Sequence, residues 1–441
     1  MLYQPSLSPS SAHLVTQLVK CINTIENAGP EQIENWETVQ ARRQAEDLLL
    51  DLQRLVIPIN VRLRYASLSI FENQALYLAV RLSIAQALVD AGPSGVDLHT
   101  LASRTGTVAE PLGRILRALQ LNDVAVQCED RWVAGEAARA LCPGHAESIA
   151  ASTDLCGNEI YTTVGFLGKQ VAPGREWPAR QASSDASSPS AAAAATAAGS
   201  EPATQACFAG LGMPSLYPYL AAHTDRQVVF TNAMASLSIH HDDYISADYP
   251  WDLHAGQQMC DVGGADGNFF KHLLTKHPLI AGGTVYDIAV ISPPADVASK
   301  LTFVHGDFFK TVPAGHQVYF MRHILHNWND SNVRRILSNT RQAMVESLRT
   351  MKASEDGNGD KDPVLLIAEA VITPKAQREA VLLDLVMLSA FPGGKERTVE
   401  EYSALCQAEG MRIAQVWPTR GKHSILEVHL DLETKDASIE E

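Results

Sequence analysis

The chain has 441 residues, 46% hydrophobic and 19% charged, which suits two or three domains with a sizeable core and excludes a disordered polymer. Its formal net charge of −15 argues against a nucleic-acid backbone or an anionic membrane as the main partner. The seven cysteines are scattered with no Cys-x-x-Cys pair, so reduced thiols are expected and no metal site. No basic stretch leads into an apolar one at the N-terminus, and no apolar run approaches the roughly 18–20 residues of a membrane span. The cytoplasm is therefore the expected compartment.

Residues 11–90 read as helical. Leu14, Leu18, Ile22 and Ile25 share one face, Leu48, Leu49, Leu52, Leu55 and Val56 repeat the pattern, and Pro58 breaks it. The apolar run 73–90 is expected to be buried on most sides. Between 95 and 142 a capped helix stopped by Gly106, a second helix entered through Pro111 and a hairpin around Glu129-Asp130 make a winged-helix arrangement. Its second helix offers only Arg114 and Arg117 as cations in an acidic chain, so a structural or dimer-forming role is favoured over DNA binding. These segments form a first domain, 1–150. A connector, 151–257, follows and contains a low-complexity Ser/Ala insertion at 181–203. Around the insertion, Phe208, Met213, Tyr217, Tyr219, Phe230 and Met234 form an aromatic and methionine-rich neighbourhood. It reads as ordinary core for most of them and as the wall of a pocket for an aromatic substrate for some.

From Met259 strands and helices alternate, the mark of an α/β doubly wound sheet over 258–432. Strands are expected at 258–262, 283–287, 301–304, 317–321 and 364–368, with an antiparallel pair at 412–417 and 424–430. An acidic loop, 354–363, precedes the fifth strand, and an acidic tail closes the chain at 433–441. The stretch 258–274 reads as strand, glycine turn and helix, a ligand edge in such sheets. Counting from Gly263, the later glycines miss the Gly-x-Gly-x-x-Gly spacing of dinucleotide sites, and no Gly-Lys-Ser/Thr marks a phosphate loop. Asp261-x-Gly-Gly-x-x-Gly remains, followed by Asp287 at the end of the next strand and Asp307 after the third. A carboxylate at the position of Asp287 can accept both ribose hydroxyls, which suits an adenosine without a pyrophosphate. His326 ends the fourth strand, with Glu369 and Glu396 at comparable edges. A histidine flanked by carboxylates is oriented and made more basic, as a general base requires.

Together, Asp-Val-Gly-Gly-Ala-Asp-Gly at 261–267, Gly-Asp-Phe-Phe at 306–309, His-Ile-Leu-His-Asn-Trp at 323–328 and Pro-Gly-Gly-Lys-Glu-Arg-Thr at 392–398 resemble the S-adenosylmethionine-dependent small-molecule O-methyltransferases. These include the caffeic-acid and flavonoid enzymes and related fungal polyketide enzymes, and the resemblance spans residues 70–430. It implies a Rossmann-like class I methyltransferase domain behind a winged-helix dimerisation domain, hence a homodimer using S-adenosyl-L-methionine. It also implies transfer to a hydroxyl, expected to be phenolic, of a small aromatic or polyketide secondary metabolite. Dehydration or pericyclic rearrangement on the same fold is the alternative. The resemblance implies a cofactor site of Asp261, Gly263, Gly264, Asp287, Asp307, Phe308 and Arg322, where Arg322 replaces the usual lysine. It makes His326 the base, assisted by Glu369 and Glu396, and sets Phe230, Met234 and Met387 against the acceptor ring, with core packing the equal alternative for these three. Four departures stand out: Ala265 for a glycine, Asn327 for an aspartate, Ile288-Ala289 for Leu-Pro, and the Ser/Ala insertion.

Overall fold

The computed structural model describes residues 11–29, 34–172, 175, 206–288, 300–353, 362–373 and 378–431. The insertion at 181–203, Ala289, most of the acidic loop and the acidic tail lie outside these residues. Internal contacts divide the chain into two compact units, Met1–Leu141 and Cys142–Glu441. Residues 142–257 lie in the second of these units.

In the first unit the helices Ser11–Glu26 and Trp36–Val56 pack together over Leu14, Cys21, Ala41, Ala45 and Leu48. Asn35 caps the second, accepting the Thr38 N–H at 2.8 Å. Beyond Pro58 the helix Ile59–Arg81 begins, so proline occupies the cap, where a missing N–H costs nothing. The apolar run 73–90 forms two helices, not one. Ser83 takes a left-handed φ of 53°, ending the long helix and starting Ile84–Ala91. Burial follows that break: Ile84, Ala85 and Leu88 are fully buried while Leu82 at the bend is 36% exposed. The helices Leu98–Thr105 and Ala109–Leu119 then lead into a hairpin of β2 (Ala125–Cys128) and β3 (Arg131–Ala134), with β1 (Val96–Asp97) on its other side. Arg114, one of the two cations on the second of these helices, is already paired with Glu110 at 2.5 Å.

The second unit opens with helical segments, the longest being Thr224–Asp248. Arg226 on that helix is buried and donates to Glu159 at 2.6 and 2.8 Å and to Asp154 at 2.9 Å, tying the helix to residues 154–159. The sheet comprises β4 (Gln258–Val262), β5 (Gly282–Asp287), β6 (Leu301–His305), β7 (Val318–Arg322), β8 (Val364–Ala370), β9 (Met411–Pro418) and β10 (His423–Leu430). Their order is β6-β5-β4-β7-β8-β10-β9, with β4 to β8 parallel and β10 antiparallel to both neighbours.

Alternation along the strands divides two cores. Cys260, Val262, Tyr319, Met321, Leu365 and Ile367 face one, while Met259, Val318, Phe320, Leu366 and Ala368 face the other. Both faces are covered, which is why these strands read as continuous apolar runs. The chain runs outward from β4 through β5 to β6, then returns to β7 on the opposite side of β4. That reversal makes the carboxyl ends of β4, β5 and β7 the switch point of the sheet, the place where ligands bind in such folds.

Candidate active site

At the end of β4 the three glycines of the turn from Gly263 to Gly267 leave no room for a Cβ. A Cβ on Gly263 would lie 2.4 Å from the Ile324 side chain, and one on Gly264 would lie 2.5 Å from the Asp261 carboxylate. Gly267 has a φ of 73°, and its added Cβ would meet Phe303 at 2.8 Å. The main chain at these glycines therefore forms the surface of the turn, which leads into the helix Asn268–Lys276, whose first N–H donates to Asp266 Oδ1 at 3.1 Å. Ala265, where the family resemblance expects glycine, sits at a φ of 48°, a left-handed conformation costing an alanine about 1 kcal/mol. Its N–H donates to Asp287 Oδ2 at 3.0 Å, so the turn is tethered to the end of β5.

Asp261 is buried beneath the turn. Burial pushes its carboxyl up to about 7, with Arg322 pulling the other way. Arg322, at the end of β7, donates to Asp242 at 2.5 Å and lies 4.8 Å over the Phe269 ring. Asp307 Oδ1 accepts the Phe309 N–H at 2.9 Å, and Phe308 packs against Phe309 and Trp328. The seven residues expected at a cofactor site thus gather along the carboxyl edge of β4 to β7. Ile288 stands exposed at the start of the loop after Asp287.

The second half of the site is the loop after β7. His323 there takes a left-handed φ of 54°, unusual for a side-chain-bearing residue. This bend aims three successive amides at one oxygen: Glu369 Oε1 accepts from Ile324 at 3.0 Å, Leu325 at 2.9 Å and His326 at 3.4 Å. Glu369 is fully buried on β8, and burial raises its carboxyl, opposed by His326. The His326 imidazole donates from Nδ1 to Glu396 Oε1 at 2.9 Å, and the same nitrogen lies 3.7 Å from Glu369 Oε2. Burial alone would lower the pKa of His326, but the two carboxylates outweigh it and the net shift is upward. Among the described residues these three also form a group able to hold a metal ion, with ligand atoms within 4.8 Å of one another. The imidazole–carboxylate hydrogen bond itself accounts for that closeness. The expected trio is assembled.

Phe230 and Met387 share a cluster with Leu155, Ile160, Leu216, Leu220, Ala233 and Phe391. Met234 does not join it and is 37% exposed on the helix Thr224–Asp248. The neighbourhood thus brings two of the three expected side chains together.

Several supporting residues escaped the sequence reading. Arg397 is fully buried and donates to the Leu325 carbonyl at 3.0 Å, the Trp328 carbonyl at 2.7 Å and Asp330 at 2.8 Å, clamping the His326 loop. It follows Glu396 directly, yet nothing in its sequence context marks an arginine as buried. Asp384 accepts the Glu396 N–H at 2.9 Å, and Asn327 donates its amide to the His323 carbonyl at 2.9 Å. An aspartate at 327 could not donate that bond, which gives this departure a structural reason. His323 also contacts His423 through their Nε2 atoms, and its ring stacks 5.3 Å from that of His326.

The fold and this edge define a Rossmann-like class I methyltransferase. A model of the O-methyltransferase domain matches residues 196–412. The O-methyltransferase SfmM3 of Streptomyces lavendulae is 29% identical over 371 residues, covering 80% of this chain and 95% of its own. The structure of LaPhzM is similar at a TM-score of 0.66 and 25% identity, covering 85% of this chain and 100% of that one. CalO1, a methyltransferase of calicheamicin biosynthesis solved with S-adenosylhomocysteine, reaches a TM-score of 0.63 at 25% identity over 84% of this chain and 98% of its own. These comparisons mark the chain as an S-adenosylmethionine-dependent O-methyltransferase. It is an enzyme of the type that serves secondary-metabolite biosynthesis, with S-adenosylmethionine as cofactor.

The residues fit that cofactor. A backbone-lined turn, a helix N-terminus and the Asp287 carboxylate offer a nucleoside its amide and carboxylate contacts, and the acidic edge suits a sulfonium cation. Gly264→Ala should weaken S-adenosylmethionine binding by roughly tenfold or more, because overpacking of a tight site costs about 1–3 kcal/mol. Calorimetry checks this, and wild-type affinity in the variant would contradict the fit.

Proposed function

We propose that the enzyme methylates a phenolic hydroxyl of a small aromatic or polyketide metabolite, with His326 as general base. The observation that carries this reading is the hydrogen bond from His326 Nδ1 to Glu396 at 2.9 Å, with Glu369 at 3.7 Å. With Nδ1 committed as donor, Nε2 is the nitrogen able to accept a proton, and among the described residues it has no hydrogen-bond partner. A phenol is mostly neutral at pH 7, so a base that takes its proton as the oxygen attacks contributes about 100- to 10,000-fold. Bound S-adenosylmethionine supplies the electrophilic methyl group.

The remaining roles belong to the same proposal. Glu396 holds the imidazole in orientation and stabilises the imidazolium that forms. Glu369 and Arg397 fix the loop that carries it. Phe230 and Met387 hold the acceptor ring, whose apolar contacts orient the hydroxyl for attack. Asp287 binds the ribose, Asp307 and Phe308 the adenine side, and Asp261, Gly263 and Gly264 support the methionine end beside Arg322. Membership of the family favours methyl transfer over dehydration or rearrangement. The relatives' biosynthetic setting supports a secondary metabolite as acceptor.

The working form proposed is a homodimer built through the first unit. Val56, Ile59, Leu63 and Phe71 stand exposed there, apolar side chains that a second protomer would cover.

His326→Gln should lower kcat by about 100-fold or more while leaving cofactor affinity unchanged. The raised pKa adds a pH signature. Imidazolium cannot accept a proton, so wild-type turnover falls as pH drops through that raised value, and the variant loses this limb. Wild-type turnover in the variant, measured with labelled cofactor and candidate phenols, would remove His326 from the chemistry. Sedimentation equilibrium should give twice the chain mass, and a single-chain mass would contradict the dimer.

A further inference from the structure

Arg322 ends β7 and lies over Phe269, in the first turn of the helix that leaves the glycine turn. Its partner Asp242 comes from outside the sheet, on the helix Thr224–Asp248. That helix is held at both ends by other contacts. Buried Arg226 ties down its amino end, and at its carboxyl end Asp248 accepts the Arg420 backbone N–H at 2.6 Å and side-chain Nε at 2.7 Å. The Ser246 hydroxyl also meets the His272 ring, joining the helix to Asn268–Lys276. An ion pair set between these anchors calls for a reason beyond bracing.

Asp242 lies within the electrostatic field of the glycine turn. Asp266, inside the turn, acts on the Asp242 carboxyl, and Asp242 in turn acts on Asp261 beneath it. Oδ1 of Asp242 accepts from Arg322, whereas Oδ2 accepts from no described residue and the side chain is 17% exposed. Burial raises this carboxyl and Arg322 opposes the shift, so a second cation beside it would be stabilising. Asp261 is the poorer acceptor for such a cation. It is buried, and with its carboxyl at about 7 it is only partly ionised at neutral pH. The arginine completes the arrangement, because a planar guanidinium can serve two carboxylates at once where a lysine ammonium is a point charge.

We propose that Asp242 and Arg322 together receive the amino-acid end of the cofactor, the Asp242 carboxylate accepting from its ammonium and the Arg322 guanidinium donating to its carboxylate. A zwitterion set against an ion pair satisfies both pairs of charges, whereas a lone arginine would leave the ammonium unmatched. This rests on the methionine end lying beside Arg322, and it adds to that seat a residue from outside the sheet. The helix that carries Phe230 on the acceptor side thereby also carries a cofactor contact.

Asp242→Asn keeps the shape of the side chain and removes its charge. Calorimetry on the full-length wild type and variant uses S-adenosylhomocysteine, its decarboxylated analogue, which keeps the ammonium, and its deaminated analogue, which keeps the carboxylate. The variant should bind the first two weaker by roughly tenfold or more, the worth of a charge-assisted hydrogen bond. The deaminated analogue should bind at least as tightly as before, since Arg322 no longer shares its charge with Asp242. Equal loss of all the probes makes Asp242 a brace for its helix and overturns the inference. Unchanged affinity throughout, or a loss confined to the probes that carry the carboxylate, overturns it too. Wild type should also bind the decarboxylated analogue more tightly than methylthioadenosine, which lacks both charges, and equal affinity for these two would contradict the proposed contact. If Gly264→Ala leaves S-adenosylmethionine affinity unchanged, the seat itself fails and the inference falls with it.

Discussion

A single buried carboxylate oxygen organises the catalytic edge. Glu369 Oε1 collects the N–H groups of Ile324, Leu325 and His326, and among the described residues no lysine or arginine donates to this carboxylate. A carboxylate this deep is costly to bury, and the compensation here is backbone amides on one side and the imidazole of His326 on the other. The left-handed turn at His323 is what allows three amides to converge. Arg397 then clamps the far end of the loop through the carbonyls of Leu325 and Trp328. The position of the imidazole is thus a consequence of backbone hydrogen bonding, with Glu396 setting only its final rotation.

The cofactor edge follows a different electrostatic logic. Asp242, Asp261, Asp266 and Asp287 act on one another around Arg322, and burial holds Asp261 at about 7. Such an edge is under-neutralised by its single arginine and favours a cationic ligand. A sulfonium cofactor meets that demand, whereas a pyrophosphate would meet repulsion. Burial, with a smaller push from Asp287 and Glu369, also raises the Tyr217 phenol. Carboxylates thus mark both halves of the site: aspartates around Arg322 on one side, and on the other Glu369 and Glu396, which raise the pKa of His326.

Much of this was legible in the sequence because strands and glycine turns report their constraints locally. Every expected strand from 258 to 430 is present within a residue or two, since period-two burial under two covered faces leaves unbroken apolar runs. The glycine turn was legible through the spacing that excluded other cofactors, and Gly263 and Gly264 do sit where no Cβ fits. His326, Glu369 and Glu396 could be named because each lies near the carboxyl edge of a strand or within a motif. Less local features were hidden. Arg397 and Arg226 look like surface residues until the fold surrounds them, and the break at Ser83 depends on one backbone dihedral inside an apolar run. Met234 follows Phe230 by one turn of its helix and is partly exposed. Asn327 stood out only as a departure from the family's aspartate, whereas the fold shows its amide donating to the His323 carbonyl.

The central claim is that His326 presents Nε2 to the acceptor because Glu396 holds the proton on Nδ1. Nitrogen-15 histidine spectra of the enzyme saturated with S-adenosylhomocysteine, recorded across pH and assigned with a His326→Gln variant, measure this directly. The account predicts an Nδ1-protonated neutral tautomer that titrates above the ordinary histidine range. A neutral ring carrying its proton on Nε2 would contradict it.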